Sequence, residues 1–293
     1  MILKNKNCFA KEIESMAVRS LLYEVSATPK PGLVDRNNNG AHNDMNFFTF
    51  MDSSSVLGEM FYDCTLAGIE HTGSIKNLLK SIRSFGIKGE ERMFFITKNV
   101  NTHKGLVFSL GIICAVIGYL YRMNPNRTWC APDICEQVIY MTEGLVEREL
   151  TSKTFHKQLT YGEKLYVKYG VTGIRGEVAS GFKTVMDYGL PLLKKLMISK
   201  TGSLNDRLVQ VLLHLMAHTE DSNILGRHNI EMLKEVQNRG KRIIEIGGIF
   251  SLEGIEAIKG FDQWCIKHWV SPGGSADLLA VTIMMYFIET LNA

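Results

Sequence analysis

The stretch TPKPGLVDRNNNGAHNDM, Thr28 to Met45, sets Lys30, Asp35, Arg36, His42 and Asp44 between two apolar segments. A surface turn needs one or two of its prolines and glycines. It does not need an imidazole and two carboxylates, which together can take a proton from a hydroxyl. Three more places break the apolar pattern with charge and glycine together: NTHKG (101–105), TGIRGE (172–177) and SPGGSAD (271–277). TEDSNILGR (219–227) adds carboxylates and an arginine. The four stretches and the opening loop supply Lys30, Lys104, Arg175 and Arg227 as candidate phosphate cations, and Asp35, Asp44, Glu177, Asp221 and Asp277 as carboxylates. Carboxylates beside phosphate cations suit a magnesium–polyphosphate complex, because Mg²⁺ prefers carboxylate and phosphate oxygens and keeps some waters.

NTHKG and SPGGSAD each lead straight into a long apolar segment. If those segments are helices, Asn101, Ser271, Gly273, Gly274 and Ser275 lie where free N–H groups and the positive end of the helix dipole favour an anion. The plainer reading is a cap, with Ser271, Ser275 or Asn101 satisfying the helix start and Asp277 favoured by its dipole. His214 and His218 share a helix face, but Leu215 stands where a zinc-protease pair would need glutamate, so they read as a structural pair. His71, His156 and His268 stand alone and read as structural.

Several classes are excluded early. With 33 basic and 30 acidic residues, no overall field draws the chain to nucleic acid or an anionic membrane. Six scattered cysteines form no disulfide framework, and Cys130 and Cys135 have no second ligand pair at zinc spacing. Reduced thiols and a cytoplasmic protein are the expectation. The N-terminus reaches acidic residues before any apolar core of a signal peptide. Gly105–Tyr121 is uncharged, at the short end of what spans a bilayer, and interrupted by Ser109, Gly111 and Gly118, so it reads as a buried helix. Neither a Gly-x-x-x-x-Gly-Lys-Ser/Thr loop nor a Gly-x-Gly-x-x-Gly turn after a strand is present.

The elements that must position these groups are helices. Ile13, Met16, Ala17, Leu21 and Val25 recur at helical spacing, as do Leu208, Val211, Leu212, Leu215 and Met216. Alternating strand patterns are nearly absent, and the six prolines fall between or at the starts of helical segments. Helices are expected over 8–26, 53–71, 75–85, 89–99, 104–122, 133–149, 160–168, 176–188, 191–199, 204–218, 228–246, 252–268 and 274–291. No linker or repeat divides the chain, which implies an all-α fold, a single multi-helix globular domain over residues 1–293.

EVSATPKPGLVDRNNNGAHNDM, NTHKGLVFSLG, YGVTGIRGEVASGF, DSNILGR and SPGGSADLLA, in this order, resemble the signature blocks of the triphosphoribosyl-dephospho-CoA synthase family. The blocks run from Glu24 to Ala280, nearly the whole chain. The sequence departs from the family pattern at Lys98-Asn99 and at His228-Asn229, where glycines are usual.

The resemblance implies an all-helical fold and a reaction of ATP with 3′-dephospho-CoA that yields 2′-(5″-triphosphoribosyl)-3′-dephospho-CoA and adenine. That product is the precursor of the prosthetic group of the citrate lyase acyl carrier, passed on to an acyl-carrier-protein transferase; sister enzymes serve malonate decarboxylase. The α linkage of the family's product implies a single inverting displacement with no covalent intermediate. Such a step needs a base, for which His42 or Asp44 is the candidate, and a carboxylate beside the anomeric carbon, for which Asp35 or Asp221 is the candidate. A donor to departing adenine is not assigned, though His103 and Asn223 can both donate. Lys30, Asn101, Lys104, Arg175, Asn223, Arg227, Ser271, Gly273, Gly274 and Ser275 are the substrate-binding set. Asp35, Glu177, Asp221 and Asp277 are the candidate Mg²⁺ ligands. The rival readings are a metal-dependent nucleotide or phosphate-ester hydrolase on the same carboxylates, and a helical scaffold whose charges are only solvated helix ends.

Overall fold

The computed structural model describes residues 5–151 and 159–290; His156 lies outside them. The described residues form fourteen α-helices and no strand, so the all-α expectation holds. In chain order they are α1 Lys6–Ser26, α2 Phe47–Glu70, α3 Leu78–Ile96, α4 Lys104–Met123, α5 Ala131–Met141, α6 Leu145–Leu150 and α7 Tyr161–Tyr169. There follow α8 Gly173–Ala179, α9 Leu190–Ser199, α10 Leu204–His218, α11 Ser222–Arg227, α12 Ile230–Glu245, α13 Leu252–His268 and α14 Gly273–Thr290.

The chain divides into two compact units, one of Met1–Tyr23, Phe48–Glu143 and Ile283–Ala293, the other of Glu24–Phe47 and Gly144–Thr282. In the first unit α2 and α4 cross at paired glycines. A Cβ at Gly68 would collide with the Ala115 carbonyl, and one at Gly118 with the Thr65 carbonyl, so the two backbones touch only because both positions lack a side chain. Among the described residues α4 is the helix long and apolar enough to cross a membrane, yet 72% of its apolar window is buried. Its glycines serve packing inside the unit.

In the second unit α10 is the central helix, with Leu208 to Ala217 buried apart from His214. Ser203 and Asp206 close its start with reciprocal hydrogen bonds of 3.1 and 2.9 Å. Gly240 of α12 lets that helix approach the Leu213 carbonyl and Ala217. His218 stacks on Tyr188 at 3.8 Å, and its Nδ1 bonds the His214 carbonyl at 2.8 Å.

Four expected boundaries move, three of them for a local reason. The segments 75–85 and 89–99 become a three-residue turn, Ile75–Asn77, and one helix, α3, because Gly89 packs on Met60 instead of breaking the run. The expected 133–149 splits at Gly144, whose φ is +68°. The expected 176–188 ends early, at Gly181 and Phe182 with φ of +69° and +59°. It resumes as a π-helical turn, Val185–Gly189, where Pro191 lacks the N–H an α-turn would use. The expected 53–71 starts earlier, at Phe47.

The Lys98-Asn99 departure also gains a physical meaning. Both residues are left-handed, with φ of +55° and +68°, and Asn99 N–H donates 2.7 Å to the Phe94 carbonyl to finish α3. Glycine is the usual occupant of such a position. Lys98→Gly is therefore expected to stabilise the protein by about 0.5–1 kcal/mol, the relieved left-handed strain less the added freedom of the unfolded chain. A urea titration checks it; a lower midpoint would contradict it.

Candidate active site

The opening loop belongs to the second unit and is held by its own Asp35 together with side chains of the helices around it. Asp35 is 3% exposed. Its Oδ1 accepts the Asn37 and Asn38 N–H groups at 2.7 and 3.1 Å, and its Oδ2 accepts Lys30 N–H at 2.9 Å. Asp262 of α13 takes Gly32 N–H and the Asn38 amide, each at 2.9 Å. Gly32 has φ +73°, and a Cβ there would collide with the Val270 carbonyl, so only glycine fits between loop and α13. Arg36 binds Thr28 Oγ1 and Asn205 Oδ1 at 3.3 and 3.1 Å. Lys30 is 2% exposed and its Nζ pairs with Glu24, itself 2% exposed at the end of α1. Glu24 was not among the residues singled out from sequence.

Asp221 ties two helix starts together. It caps α11, its Oδ1 accepting Asn223 N–H at 2.9 Å and Ile224 N–H at 3.4 Å. Its Oδ2 accepts the N–H and Oγ of Ser275, in the first turn of α14, at 2.9 and 3.1 Å. Gly273 and Gly274 leave room for this, since a Cβ would stand 2.9 Å from the Asn223 amide and 3.1 Å from the Asp221 carboxylate. Asp221→Asn keeps one acceptor but turns an amide toward the Ser275 donors. It is expected to cost about 1–3 kcal/mol, read as a lower denaturation midpoint; an unchanged midpoint would show that the two helix starts do not depend on the charge.

His42 connects the loop to the segment before α14. Its Nε2 lies 2.8 Å from Ser271 Oγ, and its Nδ1 lies 3.7 Å from Asp44 Oδ1. The order carboxylate, imidazole, hydroxyl is that of a nucleophilic triad. Ser271 is only 3% exposed, however, while Asp44 is exposed, so the hydroxyl reads as the group that holds the imidazole. Burial, and then the nearby Arg227 guanidinium, push the His42 pKa down, with Asp44 opposing. The shift favours the neutral imidazole, the form a base requires.

The other candidates are placed as follows. Arg175 Nε donates to Glu149 at 2.7 Å. Glu177 accepts Thr184 N–H at 3.2 Å and the Thr184 hydroxyl, and burial raises its pKa. Arg227 is exposed at the end of α11. Asn229, in the second departure from the family pattern, caps α12 by accepting Met232 N–H at 2.9 Å. Asn101, His103 and Lys104 belong to the first unit, where Asn101 Oδ1 accepts Lys104 N–H at 3.3 Å to cap α4. Lys104 Nζ pairs with Glu90 at 2.9 Å, and the buried His103 has Nδ1 2.7 Å from Ser53 Oγ. Tyr161, not singled out from sequence, donates 3.2 Å to the Ser222 carbonyl and lies against Gly226.

A divalent ion can be tested against these groups. Among the described residues no three His, Cys, Asp or Glu side chains form a metal-holding set. The oxygens of Asp35, Asp221 and Glu177 already accept internal donors. Asp277, partly buried near the start of α14, accepts no hydrogen bond among the described residues, and burial, Glu24 and Asp221 raise its pKa well above the usual carboxylate range. One carboxylate of that kind suits an Mg²⁺ that arrives on a triphosphate and keeps several waters, not a preformed protein cage.

The family model described as CitG, ATP:dephospho-CoA triphosphoribosyl transferase, matches residues 10–293. A probable 2-(5″-triphosphoribosyl)-3′-dephosphocoenzyme-A synthase of Malonomonas rubra is 41% identical over 95% of this chain and 88% of that protein. Proteins of the same name from Photobacterium profundum and Streptococcus mutans are 40% identical over 96% of this chain and 89% of the former, and 37% identical over 94% of this chain and 96% of the latter. No solved structure matches the chain. With a family model covering almost its full length and relatives near 40% identity, the chain belongs to the ATP:dephospho-CoA triphosphoribosyl transferase family.

Proposed function

We propose that this protein transfers the 5-triphosphoribosyl group of ATP to the 2′-hydroxyl of 3′-dephospho-CoA and releases adenine. The observation that carries the reading is the meeting of a half-buried imidazole, His42, with Ser271 just before α14, beside the Asp221-linked starts of α11 and α14. The family match extends over all of these segments.

In this reading the C–N bond between ribose and adenine breaks, its electron pair leaving with the base, which takes up a proton from solvent, while a C–O bond forms to the 2′-oxygen and the hydroxyl proton leaves for His42 Nε2. Ser271 Oγ holds that nitrogen until the substrate hydroxyl replaces it. Arg227 faces the triphosphate, with Arg175 as a further phosphate cation, and Asn223 is a donor for departing adenine. Asp35 and Asp221 act by fixing the loop and the helix starts around the anomeric centre, and the paired Lys30 and Glu24 support the loop from behind. Asp277 would hold an Mg²⁺ borne by ATP, which would neutralise phosphate charge. The product fits a cytoplasmic route to the citrate lyase prosthetic group through an acyl-carrier-protein transferase; malonate decarboxylase is the alternative destination.

Incubation with ATP, Mg²⁺ and dephospho-CoA should release free adenine only when all three are present, and excess EDTA should abolish the release. Inorganic phosphate without adenine would favour the hydrolase, and turnover in EDTA would remove the metal from the account.

A further inference from the structure

Gly226 and His228, the chain neighbours of Arg227, each meet an exposed aromatic residue. On one side Tyr161, 53% exposed, donates its hydroxyl to the Ser222 carbonyl at 3.2 Å and rests on Gly226, where any side chain would collide with the phenol. On the other side His228 Nε2 lies 3.0 Å from the carbonyl of Trp269, which is 54% exposed. Burial raises the Tyr161 pKa and lowers that of His42, and the Arg227 charge acts on both groups.

Trp269 is also in an unfavourable backbone conformation. It ends α13 with φ 56° and ψ 35°, and Val270 N–H donates 2.9 Å to the Cys265 carbonyl in the usual helix-ending pattern. Glycine normally fills such a place, and a bulky residue there is strained. The indole recovers little by packing: more than half of it is exposed, and among the described residues it stacks on no other ring. Strain without a packing return points to function. Ser271, the partner of His42, lies two residues further on.

We propose that Tyr161 and Trp269 form the base-recognition face of the nucleotide site around Arg227, taking an adenine ring while the guanidinium takes phosphate. This rests on the transferase reading, since it takes adenine-bearing substrates as the ligands. Both ATP and dephospho-CoA carry the ring, and stacking on an aromatic face is sequence-tolerant chemistry that either adenine satisfies.

The test is calorimetric binding of ATP, of dephospho-CoA and of base-free tripolyphosphate to the full chain, with Trp269→Gly and Tyr161→Leu. Trp269→Gly should melt about 2–4 °C higher because the left-handed strain is gone. It should nevertheless weaken one adenine-bearing ligand by roughly 5- to 150-fold, as loss of a stacking face does, and leave tripolyphosphate unchanged. Tyr161→Leu should weaken the same ligand, and which ligand suffers assigns the ring. Unchanged affinity for both nucleotides in both variants would overturn the proposal. So would equal weakening of tripolyphosphate, which would mean that the aromatics only hold Arg227 in place. Adenine release by the unaltered protein reports separately on the reaction: nucleotide binding without release removes the transfer and leaves the base site standing, whereas binding of neither nucleotide removes both.

Discussion

Lys30→Met is expected to destabilise the protein by about 3–5 kcal/mol, because it strands the Glu24 carboxylate in the interior without its cation. Both side chains are nearly inaccessible and they pair directly at the junction of α1 and the opening loop. Burial already raises the Glu24 pKa, with Lys30 opposing, and the Asp277 and Glu24 carboxylates repel each other. Removing the lysine therefore leaves the Glu24 carboxylate in a low-dielectric place with no cation beside it. Glu24→Gln should fall in the same range, and the double variant Glu24→Gln/Lys30→Met should recover much of the loss, since two uncharged partners leave no unpaired charge. Chemical denaturation of the three variants checks this. Additive losses in the double variant would show that the two groups act independently and that the ion pair is not what closes the loop.

His42→Ala should lower kcat by about 10²–10⁴-fold, the usual contribution of a positioned base, with ATP affinity largely kept. The pH profile gives an independent sign. Burial and Arg227 depress the His42 pKa, so the neutral base persists to lower pH, and the acid limb of kcat should fall below about 6.5. Asp44→Asn removes the group that opposes this shift and should move the limb further toward acid. If His42→Ala loses activity only in proportion to lost folded protein, the imidazole is a loop support and the base is elsewhere.

The helices were legible because their apolar faces repeat at three and four, and α4, α10 and α13 lie where that spacing puts them. The misplaced ends share a cause that periodicity does not encode. Gly144, Gly181 and Phe182 adopt left-handed backbone, and Pro191 forces a wider turn, whereas Gly89 is used for packing. The opening loop was legible from its density of Pro, Gly and charge. What Lys30 and Asp35 touch was not. Lys30 meets Glu24 through a turn, and Asp221 meets Ser275 across 54 positions of sequence, contacts that exist only once α1, α11 and α14 are packed. Tyr161 and Trp269 carried no signal either, because an exposed aromatic in helical text looks like any surface residue until its neighbours and its backbone angles are known.

The measurement that tests the account most directly is a mass spectrum of the products formed from ATP, Mg²⁺ and dephospho-CoA. The account predicts one new species whose mass equals dephospho-CoA plus ATP less adenine, in amount equal to the free adenine and with all three phosphates of ATP retained. ADP or inorganic phosphate beside unaltered dephospho-CoA would contradict it, because the bond broken would then be in the triphosphate and not between ribose and base.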